Sequence, residues 1–361
     1  MSEAPATPTP PEAGASAPHA EVRASAPTRT DSRDSEATVR VGVVGLGYWG
    51  PNLARNFDAI EGCELSWLCD ASQAARTKLT GAFPGARATA DLDDLLADPE
   101  LDAVVLATPV PTHAELAVRV LGAGKHCFVE KPLATTVADA QLAVDAADAS
   151  GRILMVGHLL EYHPAVTRLK ELVDADELGP LYYIYGNRVN LGQLRAEENA
   201  LWSLGAHDVS VVLHLIDEEP IECSAHGKSY VRGGVEDVVF CYLRFPSGRV
   251  AHLHLSWLDP HKERRITVVG AKRMATFDDM LIQGKLTVYD KGFDEDTNSW
   301  GEYIARAGES FSPRISSAEP LRLECAHFVE CIREERTPRS DGRVGLRVVK
   351  VLEALQRSLQ E

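Results

Sequence analysis

Residues 39–50 read VRVGVVGLGYWG, a short apolar run ending in Gly45, Gly47 and Gly50 with the spacing G-x-G-x-x-G. A second apolar run, ELSWLCD at residues 64–70, ends in Asp70. Gly45 permits a tight strand-to-helix turn, Gly47 lets the backbone approach a pyrophosphate, and Gly50 lets the helix sit close to the sheet. The helix LARNFDAI follows, and its N-terminus offers free N–H groups to phosphates. Tyr48 and Trp49 lie inside this loop and join the glycines as cofactor-contacting candidates. Asp70 can accept hydrogen bonds from a ribose diol and would repel a 2′-phosphate, which favours NAD; Ser72 and Arg76 keep NADP open. Three glycines alone also fit an ordinary β-turn-α corner. The preceding strand, the following helix and the spaced acid decide for a dinucleotide.

The chain has 361 residues, which suggests two domains, and its 45% hydrophobic content suffices for two cores. Its formal charge is 37 − 53 = −16 without a basic cluster, which argues against nucleic acid and anionic membranes as partners. Seven cysteines are scattered without C-x-x-C pairing, so a reducing cytoplasm and no metal are expected. Residues 1–37 are rich in Ala, Pro, Ser and Thr and cannot bury enough apolar surface to order themselves. That tail lacks the apolar core of a secretory signal, and no stretch is apolar enough to span a bilayer.

Outward from the glycine loop, apolar runs alternate with helical spacing. LDAVVLATP reads as a buried strand, PTHAELAVRVLGAG as a helix and KHCFVEKPLA as a strand. TTVADAQLAVDAADASG reads as a helix capped by Thr and closed by Gly, and RILMVGH as the next strand. This rhythm predicts a doubly wound parallel sheet over 38–160, with ligands beyond the carboxyl ends of its strands. Thr108, Lys131 and His158 all fall at such ends. A lysine there, before a proline that holds the turn, points into the crevice and can stabilise an alkoxide or move its proton. Read from these residues alone, Lys131 serves equally well as a solvated partner of Glu130.

The segments VGVVGLGYWGPN, ATPVPTHAELAV, AGKHCFVEKPLA and LMVGHLLEYHPAV resemble the Gfo/Idh/MocA oxidoreductase family, and the likeness extends from about residue 38 to the C-terminus. The resemblance implies a Rossmann domain followed by an α+β domain. It places the Glu-Lys-Pro lysine, Lys131, beside the nicotinamide and the reacting hydroxyl. Thr108, Pro109, His113 and Glu130 then join the glycines and Asp70 around the cofactor. A histidine entering the second domain faces the nicotinamide in this family, usually as Asp-x-x-x-His. Here the pattern is Ser203-Leu-Gly-Ala-His207, so His207 is the second catalytic candidate without the usual acid. An isolated histidine at a helix start is otherwise a cap or a packed ring. A non-catalytic dinucleotide sensor would have no use for Lys131 and His207 together.

Residues 161–361 read as the α+β domain. LYYIYGNRVNL is a strand and SLGAHDVSVVLHLID a helix. From residue 221 onward, short alternating strands joined by Gly-containing turns predict an open, largely antiparallel sheet. Its broad face suits a homodimer or homotetramer, which the resemblance also implies. Two closing helices end the chain, the last expected to pack back on the first domain. NRVNLGQLRAEENALWSLGAHDVSVVLHL and HKERRITVVGAKRMATFDD resemble the nucleotide-sugar 3-dehydrogenases within the family. That likeness implies oxidation at C3 of a UDP-2-acetamido sugar, UDP-N-acetylglucosaminuronate above all, for a diamino sugar of surface polysaccharide. Asn187, Arg188, Arg195, Glu198, Asn199, Trp202 and Asp208 would then line the substrate with Lys131 and His207. Arginines suit a carboxylate or diphosphate, Asn and Glu read hydroxyls, and Trp stacks on a sugar. The same run also reads as a solvated helix entry. UDP-N-acetylglucosamine, a 3-ketosugar reduced with NADPH, and an inositol are the alternative substrates.

Overall fold

The structure, a computed structural model, describes residues 38–192, 194, 198–295 and 303–360. The N-terminal tail and Arg195 therefore lie outside the described residues. In chain order the first part comprises β1 (Val39–Val44), α1 (Gly50–Asp58), β2 (Cys63–Cys69), α2 (Gln73–Thr80), β3 (Arg87–Thr89) and α3 (Leu92–Leu96). It continues through β4 (Ala103–Leu106), α4 (His113–Gly122), β5 (His126–Glu130), α5 (Val137–Ser150), β6 (Leu154–Gly157) and α6 (Pro164–Asp174). Then follow β7 (Leu181–Leu191), α7 (Ala206–Ile216), β8 (Glu222–Lys228), β9 (Val238–Arg244), β10 (Val250–Ser256) and β11 (Leu258–Gly270). The chain closes with β12 (Met274–Asp278), β13 (Leu286–Glu295), β14 (Tyr303–Phe311), α8 (Pro320–Arg333) and α9 (Gly342–Gln360).

Strands β1 to β6 form one parallel sheet in the order β3-β2-β1-β4-β5-β6. Helices cover both faces, so the central strands are apolar throughout; every residue of β4 is buried. On one face Phe57, Phe128 and Phe328 meet edge to face, with Phe128 and Phe328 centroids 5.7 Å apart, and this seats α8 against the sheet. On the other lie α4, α5 and part of α9. Thr136 caps α5 by accepting a hydrogen bond from the Asp139 N–H, and Gly151 ends it at φ +63°, as the Thr and Gly at its limits predict.

The second sheet has eight strands in the order β14-β13-β12-β11-β7-β10-β9-β8. Its pairings are antiparallel except β7 with β10. Alternation along the strands sends Ile184, Leu253, Leu255 and Ile266 inward onto α6, α7 and α9. The opposite face carries Tyr183, Tyr185, His252, Phe240 and His254, paired as stacked rings. Helix α9 contributes Leu346 and Val349 to the core of the first sheet and Val348, Leu352 and Leu355 to that of the second. No described helix is long and apolar enough to cross a membrane.

Candidate active site

The carboxyl ends of β1, β2, β4, β5 and β6 and the start of α7 converge on one cleft. Gly45 sits at φ +90°, and a Cβ there would lie 2.6 Å from the Ala107 carbonyl. A Cβ on Gly50 would lie 2.0 Å from the Gly45 oxygen, so only glycine lets α1 start so close to the strand. Gly47 faces open space, which leaves its backbone approachable by a phosphate. Tyr48 is largely exposed and packs edge-on against Trp49. The Asp70 carboxylate accepts the N–H of Leu46 at 2.6 Å and that of Ser72 at 2.7 Å. Those bonds hold the loop to β2, and each oxygen keeps a lone pair for a ribose hydroxyl. Arg76 donates to the carbonyls of Asp70 at 2.5 Å and Ala71 at 3.0 Å. These residues fit a nicotinamide dinucleotide: the glycines leave room for a pyrophosphate, and the Asp70 carboxylate at the end of β2 has acceptor capacity left for a hydroxyl.

The loop after β4 and the turn after β5 are joined by His113. Its Nδ1 lies 2.8 Å from the Pro132 oxygen and its Nε2 2.8 Å from the Thr108 oxygen. The ring is fully buried, and burial lowers its pKa against the pull of the two carbonyls, with Lys131 adding to the lowering. His113 thus ties the loop after β4 to the turn after β5. Thr108 receives a hydrogen bond from the Thr112 hydroxyl at 2.8 Å, and Pro109 opens the short helical turn between them. Glu130 accepts the Lys131 N–H at 3.3 Å, and burial raises its pKa to about 7. The Lys131–Pro132 peptide is cis.

Lys131 and His207 come together. The Lys131 ammonium donates to the Ser203 carbonyl at 3.3 Å, one helical turn before His207. The residue that stands in place of the family's acid therefore contributes its backbone to the lysine. His207 is half-buried, and its pKa is held well below the ordinary value by burial first, then by Lys131, Arg188, His158 and Arg264. It is a neutral imidazole at neutral pH, able to accept a proton.

Several expected substrate residues are placed elsewhere. Arg188 points inward and makes a two-point ion pair with Asp208, at 2.7 and 2.9 Å, both side chains nearly sealed from solvent. Each is engaged by the other in this structure. Asn187 is the next residue along β7 and so points the opposite way, to the outer face, where it donates to Glu263 at 2.9 Å. Asn199 is buried and tied to Glu236, Gln356 and the Trp202 N–H; Trp202 also donates to Gln356, at 3.1 Å. These two residues anchor the π-helical turn Leu201–Gly205 that leads into α7. Glu198 is half-buried at its approach.

Two further residues lie at the cleft: Arg264, which the sequence did not mark, and His158, which it marked only as a strand-end position. Arg264 lies opposite Arg188 in the β7–β11 register, hence on the inner face, and is felt electrostatically by His207. Its side chain is 42% exposed, and its ion pair with Asp279 is loose, at 3.6 Å. His158, at the end of β6, is fully buried with neither ring nitrogen hydrogen-bonded within the protein. Its position at a strand end was the signal for it in the sequence; nothing local marked Arg264.

The comparisons with known proteins agree with this layout. Residues 39–158 match the model of an oxidoreductase family with an NAD-binding Rossmann fold, GFO/IDH/MocA, and residues 166–276 match the GFO/IDH/MocA C-terminal domain. The chain is 27% identical to UDP-N-acetylglucosamine 3-dehydrogenase of Acidithiobacillus ferrooxidans, over 86% of this chain and 94% of that one. The solved structure of that enzyme superimposes with a TM-score of 0.76, covering 89% of this chain and 97% of the other at 25% identity. An NAD-dependent scyllo-inositol 2-dehydrogenase of Bacillus subtilis is 26% identical over 84% of this chain and 89% of its own. A putative oxidoreductase structure from Magnetospirillum magnetotacticum is 30% identical with a TM-score of 0.77, covering 88% of this chain and all of that one. The two family models together cover most of residues 39–276, in the order of the two sheets, and the chain belongs to the Gfo/Idh/MocA oxidoreductases, enzymes that act on CH–OH groups.

Proposed function

We propose that this enzyme oxidises the C3 hydroxyl of a UDP-linked 2-acetamido sugar, UDP-N-acetylglucosaminuronate above all, to the 3-keto sugar, with NAD preferred over NADP. The carrying observation is the meeting of Lys131 and His207 across two elements at the strand ends. The loop 45–50 would hold the pyrophosphate and Asp70 the ribose. The nicotinamide, when bound, supplies the hydride acceptor. Neutral His207 takes the hydroxyl proton as the alcohol becomes a ketone. The Lys131 ammonium, held by the Ser203 carbonyl, steadies negative charge on that oxygen in a site partly shielded from water.

The sugar assignment is supported by the relative that acts on UDP-N-acetylglucosamine and by the stretch 187–208. With Arg188 engaged by Asp208, a C6 carboxylate falls to Arg264 and Arg195. An uncompensated carboxylate in the cleft would be costly, so a cation at that place is required. An inositol is the second reading, favoured by the comparable identity to the scyllo-inositol enzyme. Following NADH absorbance with UDP-N-acetylglucosaminuronate, UDP-N-acetylglucosamine and scyllo-inositol separates them. The uronate should give the highest kcat/KM, and R264Q should raise its KM far more than that of the uncharged sugar. A preference for inositol would overturn the nucleotide-sugar reading. The outer face of the eight-stranded sheet, with Tyr182, Tyr183, Phe240 and Tyr242 exposed, is the surface we assign to pairing with a second copy.

A further inference from the structure

Buried polar atoms without a hydrogen-bond partner are uncommon in folded proteins, and each calls for a reason. Seven such side-chain atoms occur among the described residues, and five of them belong to His158, Glu161 and Glu324. These three residues gather behind the cleft. The β5–β6 register sets Glu130 beside Gly157, so His158 follows directly next to Lys131. The Glu130 carboxylate leans over β6: a Cβ on Gly157 would lie 3.4 Å from its Oε2. Glu161 lies one turn beyond His158, with its N–H on the His158 carbonyl at 2.9 Å. Glu324 sits one turn before Phe328 on α8. Phe328 packs on Phe128, which shares a face of β5 with Glu130, so α8 brings Glu324 over Glu130. At the far end, Glu161 Oε2 is 3.9 Å from His214 Nδ1. Both line a cavity of about 240 Å³ with Lys170, Arg339 and Arg347, away from the strand-end cleft.

We propose that His158, Glu130, Glu324 and Glu161 form a buried proton path that carries the proton released by substrate oxidation from His207 to the cavity at His214. Oxidation of a secondary alcohol releases one hydride and one proton. The proton taken by His207 passes to one nitrogen of His158, whose other nitrogen releases one to the Glu130 carboxylate. Glu324 receives a proton from Glu130 while giving its own to Glu161, and Glu161 releases one to the cavity. One proton enters and one leaves, every group regains its starting charge, and His158, left in its other tautomer by the transfer, is reset by a turn of its ring before the next cycle. Gaps longer than a direct hydrogen bond are crossed through single water molecules, which buried polar groups commonly hold. Each carboxyl is poised for this. Burial raises Glu324 well above its ordinary range, with Glu130 and Glu161 adding to the rise. Burial lifts Glu161 to about 8 against the opposing pull of Arg339 and Arg347, with Asp341 adding to the rise. Tyr162 and the thiol of Cys325, which also lie beside Glu324, are both driven upward by burial and stay neutral.

This path rests on oxidation in the cleft and not on the identity of the sugar. The substitution E324Q keeps size and neutrality but cannot pass a proton on. Difference infrared spectra of the substrate-free protein at neutral pH, wild type against E324Q, should show loss of a protonated-carboxyl band. Turnover is then followed in weak buffer with a pH indicator and NADH absorbance together. The substrate is whichever of the two UDP sugars or scyllo-inositol the wild type oxidises fastest. In E324Q, kcat should fall roughly tenfold, proton release should lag NADH formation, and the solvent deuterium isotope effect should rise, with KM and NAD affinity unchanged. E324D should recover part of the rate, and E161Q should reproduce the lag if E324Q folds poorly. An ionised Glu324 in the infrared spectrum would overturn the proposal. So would E324Q and E161Q with wild-type rates and synchronous proton release.

Discussion

Replacing Asp208 with alanine tests whether Arg188 serves the fold or the substrate. The two side chains are nearly sealed from solvent, 8% and 2% exposed, and are joined by two charge-assisted hydrogen bonds of 2.7 and 2.9 Å. Asp208→Ala leaves a guanidinium buried beneath the start of α7 without its counter-charge. Breaking one side of a buried pair typically costs about 3–5 kcal/mol. That is a large part of a folding stability of roughly 5–15 kcal/mol. Chemical denaturation followed by tryptophan fluorescence should therefore show the midpoint moving strongly to lower urea. The double substitution R188M/D208L removes both charges and should recover most of that loss, because it leaves no orphan ion. A single D208A variant within about 1 kcal/mol of the parent would refute this reading. An R188M variant of unchanged stability that lost affinity only for the anionic sugar would refute it as well.

Two further outcomes follow from the geometry. Asp70→Ala removes the acceptor beside the ribose site and its bonds to Leu46 and Ser72, so NAD affinity should fall and the preference against NADP should shrink; calorimetric titration with both cofactors checks it, and tighter NADP binding by the wild type would contradict the assignment. Stability should fall as pH rises from about 6.5 to 8. In that window the unfolded chain has already ionised Glu130, Glu161 and Glu324, whereas the folded protein gives up the Glu130 proton only around pH 7 and the Glu161 proton only around pH 8, and burial holds Glu324 well above its ordinary range. Each carboxyl still protonated in the folded state takes away about 1.4 kcal/mol per pH unit. The buried His158, at about 3, is neutral in both states through most of this range and acts only as pH falls below its unfolded value. Calorimetric melting at half-unit steps checks the slope, which a flat or rising Tm would contradict.

The sequence carried those parts of the fold whose signal is local. Gly45, Gly47 and Gly50, the acid at Asp70 and the buried runs of β1, β4, β5 and β6 are readable because turn chemistry and two-sided burial act within a few residues. β3 escaped notice because a three-residue edge strand, half-buried at most, carries no periodic pattern. β14 is exposed along nearly its whole length and has no apolar face to announce it. The site divides in the same way. Lys131 was marked as a candidate by strand-end placement and by the resemblance, and His207 by the resemblance alone. The fate of Arg188 was not, because its partner Asp208 lies 20 residues away on another element. Asn187 was assigned to the cleft, although one step of strand alternation puts it on the outer face; only knowing which face packs on α7 resolves that. Arg264 reaches the site through a strand pairing with β7 that no short-range pattern predicts.

The central claim is hydride removal from a sugar carbon between Lys131 and His207, and transfer of an isotopic label tests it most directly. UDP-N-acetylglucosaminuronate deuterated at C3 is incubated with NAD and the enzyme, and the NADH is examined by mass spectrometry. The account predicts one deuterium in the NADH, a 3-keto product, and a rate lowered roughly a hundredfold or more in K131A and in H207A with NAD still bound. Unlabelled NADH, no NADH from this sugar, or a full rate in either variant would contradict it.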